Sequence, residues 1–301
     1  MSKPLFHGII PPVPTIMTEE GKLDEVGMSR MIDHVIAAGV NGLFFLGSGG
    51  EFCHMDQAMR REVAEYCVKY TNGRLPVLIG IAAPGTQETI NYGQHAKAIG
   101  ADGVVVVNPY YAKLSEENLY KHYKKIAAEV ELPIMLYNFP ALTGQDLNPK
   151  LVKRLAIDCP NIIGIKETVE VIGHIREMIY TVKPVRPDFV VFAGYDECLL
   201  STLIVGGDGS IPASANFAPG LTCGIYKAFQ EKDYERMFEL QRVLSYIPPI
   251  YTMDSPFFSV IKEAIKMCGL DISTYALPPA SPLSDEKKEE LREILKQSKL
   301  I

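Results

Sequence analysis

The chain has 301 residues, a formal net charge of −6, 47% hydrophobic residues and 22% charged residues, the composition of a soluble globular protein. Lys and Arg are dispersed among acidic residues and form no basic stripe, which argues against a nucleic-acid partner. The N-terminal sequence lacks the apolar core of a signal peptide, and no segment reaches the roughly 18 apolar residues of a membrane span. We therefore expect a cytoplasmic protein with no membrane partner.

Eight short apolar runs, rich in Val, Ile and Phe, alternate along the chain with longer segments of helical periodicity. This alternation is typical of βα units and a parallel sheet. The runs are GIIPPVPT from Gly8, NGLFFLG from Asn41, PVLIGI from Pro76, DGVVVVN from Asp102, PIMLYN from Pro133, NIIGIK from Asn161, FVVFAG from Phe189 and GDGSIPA from Gly207.

The segments between the runs are amphipathic, and several open with an Asp, Thr or Ser suited to capping a helix. Clear examples are residues 24–39, 56–70, 86–100 and 115–130. After the eighth run only helical patterns follow, and we predict helices at Ala218–Gln230, Asp233–Tyr246, Ser255–Cys268 and Ser284–Ser298.

Eight βα units predict a (β/α)8 TIM barrel. We assign the barrel to residues 1–225 and a C-terminal helical domain to residues 226–301. The alternative is an open doubly wound sheet, which normally carries GxGxxG after its first strand. Here the only Gly-rich turn, GSGGEF, follows the second strand, so the barrel is favoured.

The cysteines and histidines show no spacing that indicates a metal site. The six cysteines are widely separated, with no CxxC pair, and are expected to be reduced and packed. The histidines have no second ligand at helical spacing. We therefore predict neither a metal ion nor another cofactor.

Lys166 is the first candidate for chemistry, because it ends the apolar run of the sixth predicted strand. Active sites of TIM barrels lie at the carboxyl ends of the strands. Strand alternation places Ile162, Gly164 and Lys166 on one face, so the lysine can point into the barrel mouth. A desolvated neutral amine there can add to a ketone and form a Schiff base. The alternative is a buried ion pair, with Glu167 or Asp196 as partner.

Tyr137 and the turn GSGGE end two other predicted strands. A phenol within reach of a Schiff-base lysine can carry the protons that carbinolamine formation and aldol cleavage require, although strand-end tyrosines are often core residues. The turn offers a hydroxyl, from Ser48, and backbone amides suited to a carboxylate or phosphate. By itself a Gly-rich turn is a weak signal.

These motifs together resemble those of the pyruvate-dependent class I aldolase superfamily that includes dihydrodipicolinate synthase and N-acetylneuraminate lyase. The resemblance covers essentially the whole chain and rests on LGSGGEF, VVNPYY, MLYNFPALTG, NIIGIKET, GYDE, and GDGSI with the downstream SAN. LFFLGSGGEF and YNFPALTGQDL are most similar to the bacterial 2-keto-3-deoxygluconate or 2-keto-3-deoxypentonate aldolase branch. The resemblance implies a (β/α)8 barrel with a helical C-terminal domain, and a homotetramer.

The resemblance also implies four catalytic residues. Lys166 matches the Schiff-base lysine and Tyr137 the proton-transferring tyrosine. Ser48 matches the hydroxyl residue that binds the pyruvate carboxylate and joins the proton relay. Tyr111 matches a tyrosine that reaches the neighbouring subunit's site.

Other positions are expected to bind the small-molecule keto acid substrate. Some offer backbone groups that line the pocket, and others bind substrate hydroxyls in the sugar-acid branches. The set comprises Gly47, Gly49, Gly50, Thr168, Gly194, Asp196, Glu197 and Ile211.

Two departures from the family pattern bear on the substrate. Gly49 stands where the family commonly has Thr, which leaves carboxylate binding to Ser48 and backbone N–H groups. Leu142 stands where the synthase has an arginine for its second substrate's carboxylate, a charge-assisted contact of the strong kind. We therefore predict a lyase, a Schiff-base aldolase that reversibly cleaves a 2-keto-3-deoxy sugar acid to pyruvate and a short hydroxyaldehyde. The alternatives are the family's synthase or N-acetylneuraminate lyase activity, and a non-catalytic pyruvate-binding barrel.

Overall fold

The structure, a computed structural model, describes residues 4–301. All eight predicted strands are present, and each lies inside the apolar run that predicted it except the sixth, which extends one residue beyond its run, to Glu167. They are β1 Gly8–Ile9, β2 Leu43–Phe45, β3 Val77–Gly80, β4 Gly103–Val107, β5 Ile134–Asn138, β6 Ile162–Glu167, β7 Val190–Ala193 and β8 Gly209–Ser210.

The helices follow the strands in alternation, and the four predicted C-terminal helices are confirmed as the last four. The helices are α1 Glu25–Ala37, α2 Gln57–Thr71, α3 Thr86–Ala98, α4 Glu116–Glu129, α5 Pro140–Thr143, α6 Pro149–Asp158, α7 Ile172–Val182, α8 Leu199–Ile204, α9 Pro219–Glu231, α10 Tyr234–Leu244, α11 Phe258–Met267 and α12 Asp285–Gln297.

The strands form one eight-stranded sheet in the order β1-β8-β7-β6-β5-β4-β3-β2. The first and last strands of this order are also joined, through a parallel bridge between Pro12 and Phe44 and a bond from the Val13 N–H to the Phe44 carbonyl (2.8 Å). The predicted (β/α)8 barrel fold is confirmed. In it, the carboxyl ends of the strands carry the candidate site residues.

Two compact units make up the chain. One contains β3 to β8 and spans Pro76–Ile211 together with the described part of Met1–His7; the other combines Gly8–Leu75 with Pro212–Ile301. The predicted domain boundary at residue 225 falls inside α9, Pro219–Glu231. A separate domain at residues 226–301 stays a prediction.

Within the first unit, β3 to β8 pair in parallel with their chain neighbours. Every residue of β4 and β5 is buried, as expected when helices cover the outside of a parallel sheet. The register pairs Tyr137 with Lys166 and Asn138 with Glu167. The strand ends that carry Tyr137 and Lys166 are therefore direct neighbours.

Helix capping follows the sequence with one exception. Side chains of Asp24, Asp56 and Ser115 each accept a bond from a backbone N–H in the first turn of their helix, the usual N-cap arrangement. Thr86 was expected to cap α3, but the cap position is Gly85, without a side-chain bond. The Thr86 hydroxyl instead lies 2.9 Å from the ring of His122 on α4. Thr86 therefore contacts a neighbouring helix and does not cap its own.

All six cysteines are free, as predicted. Cys67, Cys159 and Cys198 are buried, and Cys223 and Cys268 are half-buried. Cys53 is exposed, so the prediction that all are packed is wrong there, because the short 3-10 turn Phe52–His54 directs it outward. Among residues 4–301, no helix combines the length and apolar character needed to cross a bilayer.

Candidate active site

Lys166 and Tyr137 lie side by side at the ends of β6 and β5. The Lys166 Nζ is 4.1 Å from the centroid of the Tyr137 ring, within cation–π range. Both side chains are buried, Lys166 at 4% and Tyr137 at 3% exposure. Parallel pairing in register brings them together, because each is the same distance from the end of its strand.

The neighbouring Glu167 takes the opposite face of β6. Its Oε2 accepts a bond from the Asn138 Nδ2 (3.0 Å) and lies 3.3 Å from the His174 Nδ1. Of the two ion-pair partners considered for Lys166, Glu167 is thus held on the other side of the strand, as side-chain alternation requires.

An aromatic row extends from Tyr137 across the same strand ends. The ring of Phe139 stacks on Tyr137 with centroids 5.8 Å apart, and Tyr195 meets Phe139 edge to face at 6.2 Å. Such offset and T-shaped pairs are the favoured aromatic geometries. The stacking on Phe139 restricts the Tyr137 ring.

Thr168 and Gly194 are in close contact just beyond β6 and β7. A Cβ on Gly194 would lie 1.9 Å from the Thr168 Oγ1, so only glycine leaves room for this threonine. Thr168 is 5% exposed, and its hydroxyl has no hydrogen-bond partner among the described residues. Buried hydroxyls are normally hydrogen-bonded, so this one is a candidate for contact with a bound ligand.

Asp196, Glu197 and Ile211 lie just beyond the ends of β7 and β8. Asp196 is fully buried and Glu197 is exposed. The Ile211 N–H donates to the Ala193 carbonyl (2.8 Å), continuing the pairing of β8 with β7. Of the two predicted acidic residues, the structure directs only Asp196 inward.

Leu142 lies on the short helix α5, directly after β5, and is 57% exposed. The Asn138 and Asn108 amides fix the segment that follows: the Leu147 N–H donates to the Asn138 Oδ1 (3.0 Å), and the Asn108 Nδ2 donates to the Gln145 carbonyl (2.8 Å). An apolar side chain therefore occupies a firmly held position above the end of β5.

Tyr111 lies on the loop after β4, fully exposed, with φ of +79°. A non-glycine residue in the left-handed region is uncommon and marks a position where local strain is tolerated. The Gln145 Oε1 holds this loop by accepting the Leu114 N–H (2.9 Å). The tyrosine is thus displayed outward from an anchored loop.

In the other unit, Ser48, Gly49 and Gly50 form a 3-10 turn directly after β2. The Gly50 and Glu51 N–H groups donate within the turn, to the Gly47 and Ser48 carbonyls (2.9 and 3.1 Å). These two amides are engaged, which corrects the expectation of several open amides. The N–H groups of Gly50 and Glu51 are therefore not available to bind a carboxylate.

A buried ion pair anchors this turn to α11. Glu51, in the left-handed region at φ +62°, contacts the Lys262 Nζ, and both side chains are fully buried. The Glu51 Oε2 also accepts the Leu277 N–H (2.8 Å), and Lys262 donates to the Tyr275 carbonyl (2.6 Å). Burial lowers the pKa of Lys262, and the Glu51 carboxylate opposes that shift.

Lys262 and His174 were not predicted from the sequence. Lys262 stands in the apolar run SVIKEAI, the same signal that singled out Lys166. His174 has no second ligand at helical spacing, and nothing in its neighbourhood in the sequence indicates its two acidic partners. No group of three or more His, Cys, Asp or Glu side chains suited to a metal ion is present in residues 4–301.

Comparison with known proteins gives a consistent result. A profile of the Dihydrodipicolinate synthetase family matches residues 5–298. "Putative 2-dehydro-3-deoxy-D-gluconate aldolase YagE" of Escherichia coli K12 is 51% identical, over 98% of this chain and 98% of its own. "Probable 2-dehydro-3-deoxy-D-pentonate aldolase YjhH" of the same strain is 50% identical, over 96% of each chain.

Solved structures agree with the sequence relatives. The crystal structure of YagE in complex with pyruvate has a TM-score of 0.97, covering 99% of this chain and 100% of its own at 51% identity. Dihydrodipicolinate synthase from Thermotoga maritima has a TM-score of 0.93, covering 99% and 100% of the two chains at 31% identity.

Proposed function

This chain belongs to the dihydrodipicolinate synthetase family, and on that premise we propose that it is a class I aldolase. Its reaction is the reversible cleavage of a 2-keto-3-deoxy sugar acid, of gluconate or pentonate type, to pyruvate and a short hydroxyaldehyde. The names of YagE and YjhH support this substrate class.

The observation that carries the proposal is the contact between Lys166 and Tyr137, a buried amine 4.1 Å from a tyrosine ring at adjacent strand ends. The Lys166 amine attacks the C2 ketone, and loss of water gives an iminium. The electrons of the breaking C3–C4 bond flow into the iminium, leaving an enamine and the aldehyde. Protonation at C3 and hydrolysis then release pyruvate and the free amine.

Proton transfer is assigned to hydroxyl groups. Tyr137 takes the proton from the C4 hydroxyl as the C3–C4 bond breaks, with Ser48 and Tyr111 completing the relay. The Ser48 turn holds the pyruvate carboxylate. These roles, and the substrate contacts of Gly47, Gly49, Gly50, Gly194 and Ile211, rest on the family resemblance.

The substrate is inferred from two side chains. The partnerless Thr168 hydroxyl suits a substrate hydroxyl, since a polar site of this kind favours ligands that complete its hydrogen bonds. The synthase reaction requires a cation for the carboxylate of its second substrate, and Leu142 offers none. Buried Asp196 is proposed as a further hydroxyl-binding residue, together with Glu197 from the same loop.

We further propose a cytoplasmic homotetramer in which Tyr111 reaches a neighbouring subunit's site. Its full exposure and its strained backbone on an anchored loop support this. Mixing inactive Lys166→Ala with inactive Tyr111→Phe, under conditions of subunit exchange, should restore part of the activity. Two variants that stay inactive after exchange would argue against shared sites.

The central test is borohydride reduction in the presence of pyruvate. Reduction with pyruvate should add mass at Lys166 and inactivate the enzyme. The control variant Lys262→Arg, altered at another buried lysine, should still be labelled at Lys166. An unmodified Lys166 would contradict the mechanism, and labelling without turnover would favour a pyruvate-binding barrel.

A substrate panel tests the chemistry that follows. Six-carbon and five-carbon 2-keto-3-deoxy acids should be cleaved, and a chelator should leave the rate unchanged. Turnover of aspartate semialdehyde or N-acetylneuraminate instead of these acids would replace the proposal.

A further inference from the structure

Four side chains on the helix side of the sheet form a cluster directly behind the Lys166 and Tyr137 strand ends. Asn138 and Glu167 each follow one of these residues, are paired in register, and lie on the opposite face of the strands. His174, from α7, and Asp146, from the loop after α5, complete the cluster.

Three hydrogen bonds and one ion-pair contact link the four side chains. The Asn138 Nδ2 donates to both the Asp146 Oδ1 (2.7 Å) and the Glu167 Oε2 (3.0 Å). The His174 ring lies between the same acids, with Nε2 at 3.1 Å from the Asp146 Oδ2 and Nδ1 at 3.3 Å from the Glu167 Oε2. An amide and an imidazole therefore bridge the two carboxylates in parallel.

The cluster is held by charge as well as by packing. Glu167 is completely buried, and its Oε1 has no hydrogen-bond partner among the described residues. The carboxylates of Asp146 and Glu167, which accept from the ring, raise the pKa of His174 to about 10. The imidazole is thus a cation at neutral pH, and a buried carboxylate needs such a partner.

The backbone carbonyls of Asn138 and Glu167 are hydrogen-bonded to residues that are proposed to contact the substrate. The Asn138 carbonyl accepts the Thr168 N–H (2.9 Å), and the Glu167 carbonyl accepts the Gly194 N–H (2.7 Å). A shift of Asn138 or Glu167 would therefore be passed to Thr168 and Gly194, as well as to the adjoining Tyr137 and Lys166.

Resting on the aldolase function proposed above, we infer that His174 is a positioning residue for imine formation. With Glu167, Asp146 and Asn138 it clamps the ends of β5 and β6, so that the Lys166 amine and the Tyr137 ring keep their relative placement. None of the four touches substrate in this proposal. The clamp acts through the two neighbouring residues of the strands.

The test separates positioning from folding by timed borohydride quenching. Wild type, His174→Gln and Asp146→Asn are mixed with pyruvate, quenched at intervals, and the Lys166 adduct is measured by intact mass. The amplitude at long times counts competent sites, and the rate constant reports their geometry. His95→Gln, a half-buried histidine on α3, is the matched control.

We expect His174→Gln to lower the rate constant about 10- to 100-fold at near wild-type amplitude, the size of effect typical of a small misplacement. Asp146→Asn, which leaves Glu167 and His174 in contact, should show a smaller loss in the same direction. In aldol cleavage kcat should fall more than KM changes, and His95→Gln should match wild type.

The experiment distinguishes failure of the aldolase proposal from failure of the clamp. If wild type forms no adduct at Lys166, the aldolase proposal fails and this inference fails with it. If wild type is labelled but both cluster variants keep its rate constant, only the clamp is overturned. Lower amplitude with an unchanged rate constant would mean a merely structural role, and also overturns it.

Discussion

The Lys166 Nζ lies over the face of the Tyr137 ring, 4.1 Å from its centroid. The ring face attracts a cation, so this contact is compatible with the iminium that the reaction forms. The phenol oxygen, at the edge of the same ring, is the group proposed above for proton transfer. One side chain can thus serve two purposes, and substitution can separate them.

Tyr137→Phe should separate these purposes. Phenylalanine keeps the ring face toward Lys166 and the stacking on Phe139 but removes the acid–base group. We expect kcat for aldol cleavage to fall about 10²- to 10⁴-fold, the usual contribution of general acid–base catalysis. Pyruvate and borohydride should still label Lys166, more slowly, as measured by mass spectrometry.

The control for this substitution is Tyr70→Phe, which removes a surface hydroxyl bonded to Asp33. It should change neither kcat nor labelling. Cleavage by Tyr137→Phe at the wild-type rate would transfer the proton relay to another residue.

Thr168→Val should affect the substrate and spare the fold. The hydroxyl has no hydrogen-bond partner in the described protein, so its removal costs no internal bond and valine has nearly the same shape. A lost bond to substrate, at about 0.5–1.5 kcal/mol, corresponds to a roughly 2- to 12-fold fall in kcat/KM for the keto-deoxy acid. Tm should stay constant or rise.

Labelling by pyruvate alone should be unaffected in Thr168→Val, because pyruvate lacks the hydroxyls that distinguish a sugar acid. A loss of labelling equal to the loss of cleavage would show that Thr168 acts on the imine and not on substrate choice.

Lys166 and Lys262 show what can and cannot be predicted from the sequence. Both are lysines in apolar runs, yet one ends a parallel strand and the other forms an ion pair with Glu51 inside the protein. The hydrophobic period of each run predicts a strand for Lys166 and a helix for Lys262. The location of Lys166 near a strand end favours a catalytic role for it. The partner of the second could not be predicted, because Glu51 is distant along the chain and meets Lys262 only through tertiary packing.

His174 and Thr168 mark the same limit within the site. Strand alternation predicts that Lys166 and Glu167 face opposite sides, which the structure confirms by the contacts of Glu167. It cannot predict which helix residue meets Glu167, since that depends on how α7 packs against the sheet. Nor can it predict that the Thr168 hydroxyl lacks a protein partner, which requires every nearby donor and acceptor to be placed.

The Glu51–Lys262 pair should behave as a coupled unit in unfolding. Lys262→Met leaves the Glu51 carboxylate buried without its cation, and we expect the free energy of unfolding to fall by about 3–5 kcal/mol. Adding Glu51→Gln removes that charge and should recover part of the loss. Urea unfolding of the two single variants and the double variant measures the coupling.

For comparison, the exposed pair of Arg236 and Glu239 on α10 should give a coupling below about 1 kcal/mol. Additive losses at Glu51 and Lys262 would mean that each residue is stabilised by its backbone contacts alone, to Leu277 and Tyr275.

The pH dependence of stability should reveal the charge on His174. Its pKa is about 10 in the folded protein and near ~6.5 in an unfolded chain. Because the folded pKa is the higher one, the stabilisation is fully present below about pH 6.5 and is lost as pH rises toward 10. The groups that face the ring are Asp146 and Glu167, with neutral Asn138 between them.

We therefore expect the Tm of wild type to fall more steeply than that of His174→Gln between about pH 8 and 10.5, measured by calorimetry at fixed ionic strength. Surface lysines and tyrosines titrate in both proteins, so the difference between the curves isolates the imidazole. His95→Gln should follow wild type. Parallel curves for wild type and His174→Gln would mean that the ring is already neutral at pH 8, and that Asn138 alone bridges Asp146 and Glu167.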